Sequence, residues 1–295
     1  LWRRGLATLK HFTLIYSMMV IDPVLISLER PDPQSLPLVV TVPHAGRDYG
    51  KRFTSSVRLN ESERRGTEDC FADELAAQAP SLGAPLLRAL FPRVWLDVNR
   101  DERELDPLLI KDDLPQDCLP ATASVKAGLG VVPRLMTGGR AIHSSLLSMA
   151  EIEKRLTSGW RPFHATLQGL IAETQKAFGH CLLIDCHSMP TSRETEPSDI
   201  VLGDNFGKAC DARLISEAER FFKDQGFRVA LNKPYAGGYI TRHYGQPEKH
   251  VHTLQIEVRR SLYMNERRFE TTQGLKEMTR QMGLLFKQLG GLSLS

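Results

Sequence analysis

His187 closes the apolar run Cys181–Ile184 within Leu182-Leu-Ile-Asp-Cys-His-Ser-Met-Pro190, and His44 closes Leu38–Val42 within Leu36-Pro-Leu-Val-Val-Thr-Val-Pro-His-Ala-Gly46. A third run, Val251-His-Thr-Leu-Gln-Ile-Glu-Val-Arg259, carries Glu257. Imidazole and carboxylate groups are metal ligands; zinc hydrolases take three of them and leave one position for water. The ion brings the pKa of bound water toward about 7 and polarises a carbonyl. A nearby carboxylate that does not bind the metal then moves the proton. His44, Asp69 and His187 could be the ligands and Glu257 the base. A lone histidine in such a place is as readily a packed core residue. The joint occurrence, at loops after buried strands, is what points to a metal hydrolase.

Other groups could serve a substrate. Asn99-Arg100 ends the segment Arg93–Val98, and a guanidinium beside an amide makes a fork for a carboxylate, or else a surface turn. Gly237-Gly-Tyr-Ile-Thr-Arg-His-Tyr-Gly245 suits a loop closing over a polar ligand, with Arg242 in it. Gly128-Leu-Gly130 lacks the pattern and setting of a dinucleotide site and reads as a loop. Cys186 beside His187 suggests a cysteine hydrolase, but adjacent strand residues point to opposite faces and cannot readily pair. In Leu254-Gln-Ile-Glu-Val, alternation puts Gln255 and Glu257 on one face; a salt bridge from Glu257 to Arg259 is the structural alternative to catalysis.

The elements that must position these groups alternate between strand and helix, as in an α/β sheet covered on both faces. Strands are expected at Val24–Glu29, Leu38–Val42, Pro85–Leu90, Arg93–Val98, Cys181–Ile184, Asp199–Leu202, Phe227–Leu231 and Val251–Arg259. Helices are expected over Asn60–Ala79, Ser144–Ala177 with a break near Gly159–Pro162, Asp211–Gln225, and roughly Glu266–Leu289. The two buried histidine-bearing strands open at their carboxyl ends, where ligands of open α/β sheets gather. No internal repeat or linker divides the chain, so a single domain is expected.

Composition narrows the class. With 295 residues, 41% hydrophobic and 25% charged, a sizeable core is expected. A net charge of +3, evenly mixed, gives no nucleic-acid footprint. The basic clusters at Glu61–Arg65 and Arg259–Arg268 are interleaved with acids and read as solvated helix faces. Five cysteines without a C-x-x-C spacing read as small buried residues of a reducing cytoplasm. Residues 1–20 are basic, then weakly apolar, without the run needed for a membrane anchor or signal peptide. They are expected to be a non-native or disordered extension, with the natural start near Met18 or Met19 and the catalytic domain over 21–295. Nothing in the sequence sets an oligomeric state.

Val42-Pro-His-Ala-Gly46, Asp69 followed by Asp73-Glu-Leu75, Asp97-Val-Asn-Arg100, Asp185-Cys-His-Ser188, and Gly237–Gly245 followed by Gln255-Ile-Glu257 occur in that order. Together they resemble the N-formylglutamate amidohydrolase family, from about Leu38 to Glu266. The resemblance implies a zinc carboxypeptidase-like fold, a mixed sheet between helices, and one zinc held by His44, Asp69 and His187. It implies Glu257 as the catalytic glutamate, Asn99 and Arg100 as the grip on a substrate carboxylate, and Arg242 as a second anion contact. The implied activity is zinc-dependent hydrolysis of a small N-acyl amino acid, N-formyl-L-glutamate foremost, in amino-acid catabolism such as histidine degradation. The alternative is a zinc carboxypeptidase-like enzyme or a deacylase of another N-acyl amino acid. Two positions keep alternatives open. Members assigned to histidine breakdown often read Asn-Gly-Arg-Phe where this chain has Asn232-Lys-Pro-Tyr235, and Glu68 could replace Asp69 as ligand.

Overall fold

A computed structural model describes residues 25–136, 138–191 and 197–294, together with all side chains in these ranges except that of Arg52. The extension expected over residues 1–20, and Val24, lie outside the described residues.

Seven strands form one sheet in the order β1-β3-β2-β4-β7-β5-β6. They are β1 (Ile26–Glu29), β2 (Leu38–Val42), β3 (Leu86–Ala89), β4 (Cys181–Met189), β5 (Ile200–Gly203), β6 (Val229–Leu231) and β7 (Val251–Arg259). The centre, β3-β2-β4-β7, is parallel, while β1 and β5 run against their neighbours β3 and β7. The sheet is therefore mixed. Register sets His187 of β4 opposite Glu257 of β7, and Thr41 of β2 opposite Asp185 of β4.

The strands alternate with period two between two apolar layers. Leu38, Val40, Leu182, Ile184, Cys186, Leu254, Ile256 and Val258 face one layer, completed by Leu75, Phe222 and Phe286. Those three come from helices α3 (Ala72–Leu75), α7 (Ala212–Asp224) and α9 (Gly274–Gly290), numbered after α1 (Lys51–Ser56) and α2 (Glu61–Gly66) and with α4 (Ala123–Lys126), α5 (Met149–Arg155), α6 (Arg161–Phe178) and α8 (Tyr239–Tyr244) between. Val39, Leu183 and Val251 face the other layer, with Phe163, Leu167 and Leu170 of α6 and Ile240 of α8. Asp185 and His187 share that second face by alternation, as do Gln255 and Glu257. Cys186 is turned into the first core, away from His187, and burial pushes its thiol well above the ordinary value. Cys186 is therefore no partner for that imidazole.

Several boundaries differ from expectation, each for a local reason. The span Asn60–Ala79 is two short helices, not one. Asn60 and Glu63 form a reciprocal cap on α2. The helix then stops because the Asp69 N–H donates to the carbonyl of His44 (3.0 Å), and Phe71 adopts a left-handed conformation (φ 61°) before α3. Arg93–Val98 is not a strand: Trp95 N bonds Pro92 O and Asp97 N bonds Val131 O (2.8 Å), which folds the segment into buried turns. At Gly159 the helix is not broken; a π-helical turn, Leu156–Trp160, joins α5 to α6. Gly237-Gly238 leads into the helix α8 instead of a loop throughout. The last helix begins at Gly274, because Met264–Asn265 (β8) and Glu270–Thr271 (β9) pair first. The cluster Arg259–Arg268 is consequently not a helix face.

Candidate active site

β2 and β4 deliver their histidines at the carboxyl edge of the sheet. His44 lies two residues beyond β2, where Ala45-Gly46 turns tightly under the chain that follows β3. A Cβ on Gly46 would sit 2.3 Å from the Phe91 carbonyl oxygen, so only glycine permits this approach. Asp69 arrives through the turn after α2, its backbone tied to His44 O. One ligand atom from each of His44, Asp69 and His187 lies within 4.8 Å of the others, and all three residues are buried.

The imidazoles are oriented alike. His44 Nε2 is 2.7 Å from Asp97 Oδ1, and His187 Nε2 is 2.9 Å from Asp185 Oδ2. With Nε2–H donating to a carboxylate, each ring turns Nδ1 toward Asp69. His187 Nδ1 is 2.8 Å and His44 Nδ1 3.5 Å from Asp69 Oδ2. His44 Nδ1 is buried without a hydrogen-bond partner. Histidines that ligate metals have this arrangement, one nitrogen held by a carboxylate and the other directed at the ion. The residues therefore fit a divalent cation.

Electrostatics agree. Burial alone would lower His187, but Asp185, Asp69 and Glu257 outweigh it and raise the imidazole well above its usual value. That field favours positive charge at this point. Burial also opposes the Asp69 charge, yet the hydrogen bond from His187 and the nearby His44 imidazole hold it well below the usual carboxylate range. Asp97 is likewise held well below it, against burial, by His44 and Arg93. The four groups interlock.

Glu68 has other partners. Its carboxylate accepts from the Tyr49 hydroxyl (2.6 Å) and lies 3.6 Å from both Cys70 Sγ and Arg65 Nε. It points away from the imidazoles, while Asp69 points at them.

A cavity of about 230 Å³ opens over this cluster, its wall including His44, Arg93, Asn99, Arg100, His187, Tyr235 and Glu257. That is below the roughly 300 Å³ at which pockets for drug-sized ligands begin, so the site suits a small molecule. Glu257 stands on β7 beside His187. Burial pushes its carboxyl up to about 7, with Asp69 adding to the rise and His187, Arg93 and His44 opposing it. Gln255, two residues earlier, donates Nε2–H to Glu257 Oε1 (2.9 Å) and accepts the Gly238 N–H on its own oxygen (2.9 Å). Arg259 pairs with Asp199 instead of Glu257. The ion-pair alternative is thereby removed.

Asn99 lines the cavity but is also built into its frame. Its Oδ1 accepts from Ile240 N (2.7 Å), and its Nδ2, 3.2 Å from His187 Nε2, donates to Asp185 Oδ2 (3.3 Å), leaving one amide hydrogen. A Cβ on Gly238 would fall 2.4 Å from this amide, which accounts for the second glycine of the pair. Arg100 also lines the wall, with its Nε 3.9 Å from Asp97 and its carbonyl accepting from Trp160 Nε1 (2.9 Å). Arg242 is outside the lining: it is exposed on α8 and donates to Gly237 O (2.9 Å). It is close enough to Arg100 for the two cations to repel.

Four contributors carried no sequence role. Asp185 stands two residues before His187, a strand spacing that could have revealed it. Arg93 and Asp97 sit in a segment whose apolar pattern resembles a strand, and their partners are far away in sequence. Tyr235 enters from the segment after β6, and nothing local marks it.

A sequence model of the N-formylglutamate amidohydrolase family matches residues 36–264. The chain is 33% identical over 256 residues to an N-formylglutamate deformylase of Pseudomonas aeruginosa, covering 83% of this chain and 89% of that one. It is 32% identical over 240 residues to an N-formylglutamate deformylase of Pseudomonas putida, covering 78% and 83%. Among solved structures, an N-formylglutamate amidohydrolase from Ralstonia eutropha superposes with a TM-score of 0.85 at 31% identity, over 91% of this chain and 98% of that chain. A gene product of Agrobacterium tumefaciens shares the fold at a TM-score of 0.65 and 19% identity, over 91% and 94%.

Proposed function

The chain belongs to the N-formylglutamate amidohydrolase family, and from that premise we propose that it hydrolyses the formamide of N-formyl-L-glutamate, giving formate and free glutamate. The observation that carries this reading is the cluster of His44, Asp69 and His187 at one small cavity, lined by both histidines and Glu257 with Arg93 and Arg100 in its wall. His44 Nδ1, Asp69 Oδ2 and His187 Nδ1 would hold one zinc ion, which when bound supplies Lewis acidity at the carbonyl and acidifies water.

The chain's own residues do the rest. Glu257, with a carboxyl near neutrality, takes a proton from the attacking water and delivers it to the glutamate nitrogen as the C–N bond breaks. Gln255 holds Oε1 of that carboxylate in place. Arg93 meets negative charge as it develops on the formyl oxygen. Arg100, with the remaining Asn99 amide hydrogen, grips a substrate carboxylate. Arg242 adds positive charge at the same end, for a substrate that carries two carboxylates.

The rival substrates are another N-acyl amino acid or a C-terminal peptide residue. Comparing turnover of N-formyl-, N-acetyl- and peptidyl-glutamate separates them. The formyl compound should be turned over fastest by a wide margin; equal or faster release from the acetyl or peptidyl compound contradicts the proposal.

A further inference from the structure

Two arginines leave the end of β7 in opposite directions. Arg259 turns outward to Asp199 and the Pro197 carbonyl (3.3 Å). Arg260 turns inward and is 7% exposed. Its Nε donates to Ser188 Oγ (3.1 Å) and its Nη1 to Gly66 O (3.5 Å). Its Nη2 reaches Ser188 O (3.3 Å), Glu68 O and Asp69 Oδ1 (3.4 Å). A single guanidinium thus ties the residue after His187 to the backbone just before Asp69 and to the Asp69 carboxylate itself.

The two oxygens of Asp69 are divided by these contacts. Oδ2 faces His187 Nδ1 and His44 Nδ1. Oδ1 faces Arg260, with Arg93 Nη1 3.8 Å away on the cavity side. We propose that Arg260 is the positioning residue of the His44–Asp69–His187 site: it fixes the rotation of the Asp69 carboxylate and the spacing of the Asp69 turn from β4, so that Oδ2 is presented between the imidazoles. The inference rests on the zinc reading above. Groups that hold metal ligands in this way typically change metal affinity by about 10–100-fold when removed. A lysine keeps the charge but not the fork, and a single ammonium cannot span Ser188, Glu68 and Asp69 together.

The test is the zinc dissociation constant, read by competition with a chromophoric chelator on metal-free protein well below its melting temperature. Four proteins are compared: wild type, His187→Ala, Arg259→Lys and Arg260→Lys. Arg259→Lys should bind like wild type, His187→Ala should lose the site, and Arg260→Lys should bind about 10–100-fold more weakly. If Arg260→Lys does not fold, Ser188→Ala removes the Nε acceptor and leaves the charge, and it should weaken zinc by about tenfold, the lower end of that range. Zinc bound by Arg260→Lys, or by Ser188→Ala in its place, as tightly as by wild type overturns the positioning role alone. Zinc bound by His187→Ala as tightly as by wild type overturns the zinc reading and this role with it.

Discussion

In the proposed reaction Glu257 is the residue on which the chemistry turns, because its carboxyl is poised near neutrality by burial beside Asp69. Replacing it with glutamine keeps the shape and removes the basicity, so kcat should fall by about 10²–10⁴-fold with substrate still bound. The base must be ionised, so kcat/KM should rise with pH along an acidic limb at or below about 7. A limb that survives Glu257→Gln would assign the base elsewhere. Stability has the opposite sign. The folded carboxyl holds its proton more tightly than the unfolded one, a contribution complete below the unfolded value and lost as pH rises through about 7. The metal-free glutamine variant should therefore melt higher than wild type above that pH; an equal or lower melting temperature would contradict the buried position. Arg100→Lys should lower kcat/KM by about 10- to 150-fold, the worth of hydrogen bonds to a charged group at roughly 1.5–3 kcal/mol. An equal loss on a substrate with amidated carboxylates would make the residue structural. At this scale the sequence was informative where two functional groups share a strand: alternation placed Glu257 with Gln255 and parted Cys186 from His187. It was silent on Asp97, whose partner His44 is 53 residues away.

At the scale of elements, the join between α5 and α6 has the clearest functional consequence. The π-helical turn Leu156–Trp160 brings the Trp160 indole N–H to the Arg100 carbonyl (2.9 Å), and His164, one turn on, has Nε2 2.9 Å from the Val98 carbonyl. Burial takes the His164 imidazole down to about 4, so it is neutral at ordinary pH and its Nε2–H donates to Val98. Together they hold the Asn99-Arg100 segment from behind. Trp160→Phe removes one such bond, worth about 0.5–1.5 kcal/mol, and should raise KM by about two- to twelvefold with kcat little changed. A fall in kcat at unchanged KM would show that the turn serves the chemistry instead. The sequence showed an irregularity at Gly159–Pro162 but not its form, since a π turn and a break share the same glycine and proline signals. Asn60–Ala79 divides into two helices for a related reason. Its apolar spacing is helical, and the long-range bond from Asp69 N to His44 O, with the left-handed Phe71 after it, interrupts it.

At the scale of the molecule, the sheet divides two apolar layers, and the site lies on the α6 and α8 side. The covering of the sheet on both faces was legible in the sequence, because β2, β4 and β7 are buried along nearly all their length, but the side on which the site lies was not. Strand order did not follow, since β5 enters antiparallel beside β7 through contacts no local pattern encodes. Phe163 anchors α6 to the sheet at 0% exposure, and Phe163→Ala should cost about 3–5 kcal/mol in denaturant unfolding. A loss under 1 kcal/mol would mean that this layer is loosely packed. No helix among the described residues is long and apolar enough to cross a membrane. Zinc binding only to the folded chain should add about 2.7 kcal/mol at a hundredfold excess over its dissociation constant, a rise of about 4 °C in melting temperature that His187→Ala should not show. The central claim is that this cluster of ligands and Glu257 hydrolyses formylglutamate with zinc, and the most direct test is formate release from N-formyl-L-glutamate by purified protein as zinc is titrated into the chelated enzyme. Formate release should be lost on chelation and return in proportion to zinc, reaching its plateau at one equivalent per chain. Full turnover by thoroughly chelated protein, or no turnover at one equivalent of bound zinc, would contradict it.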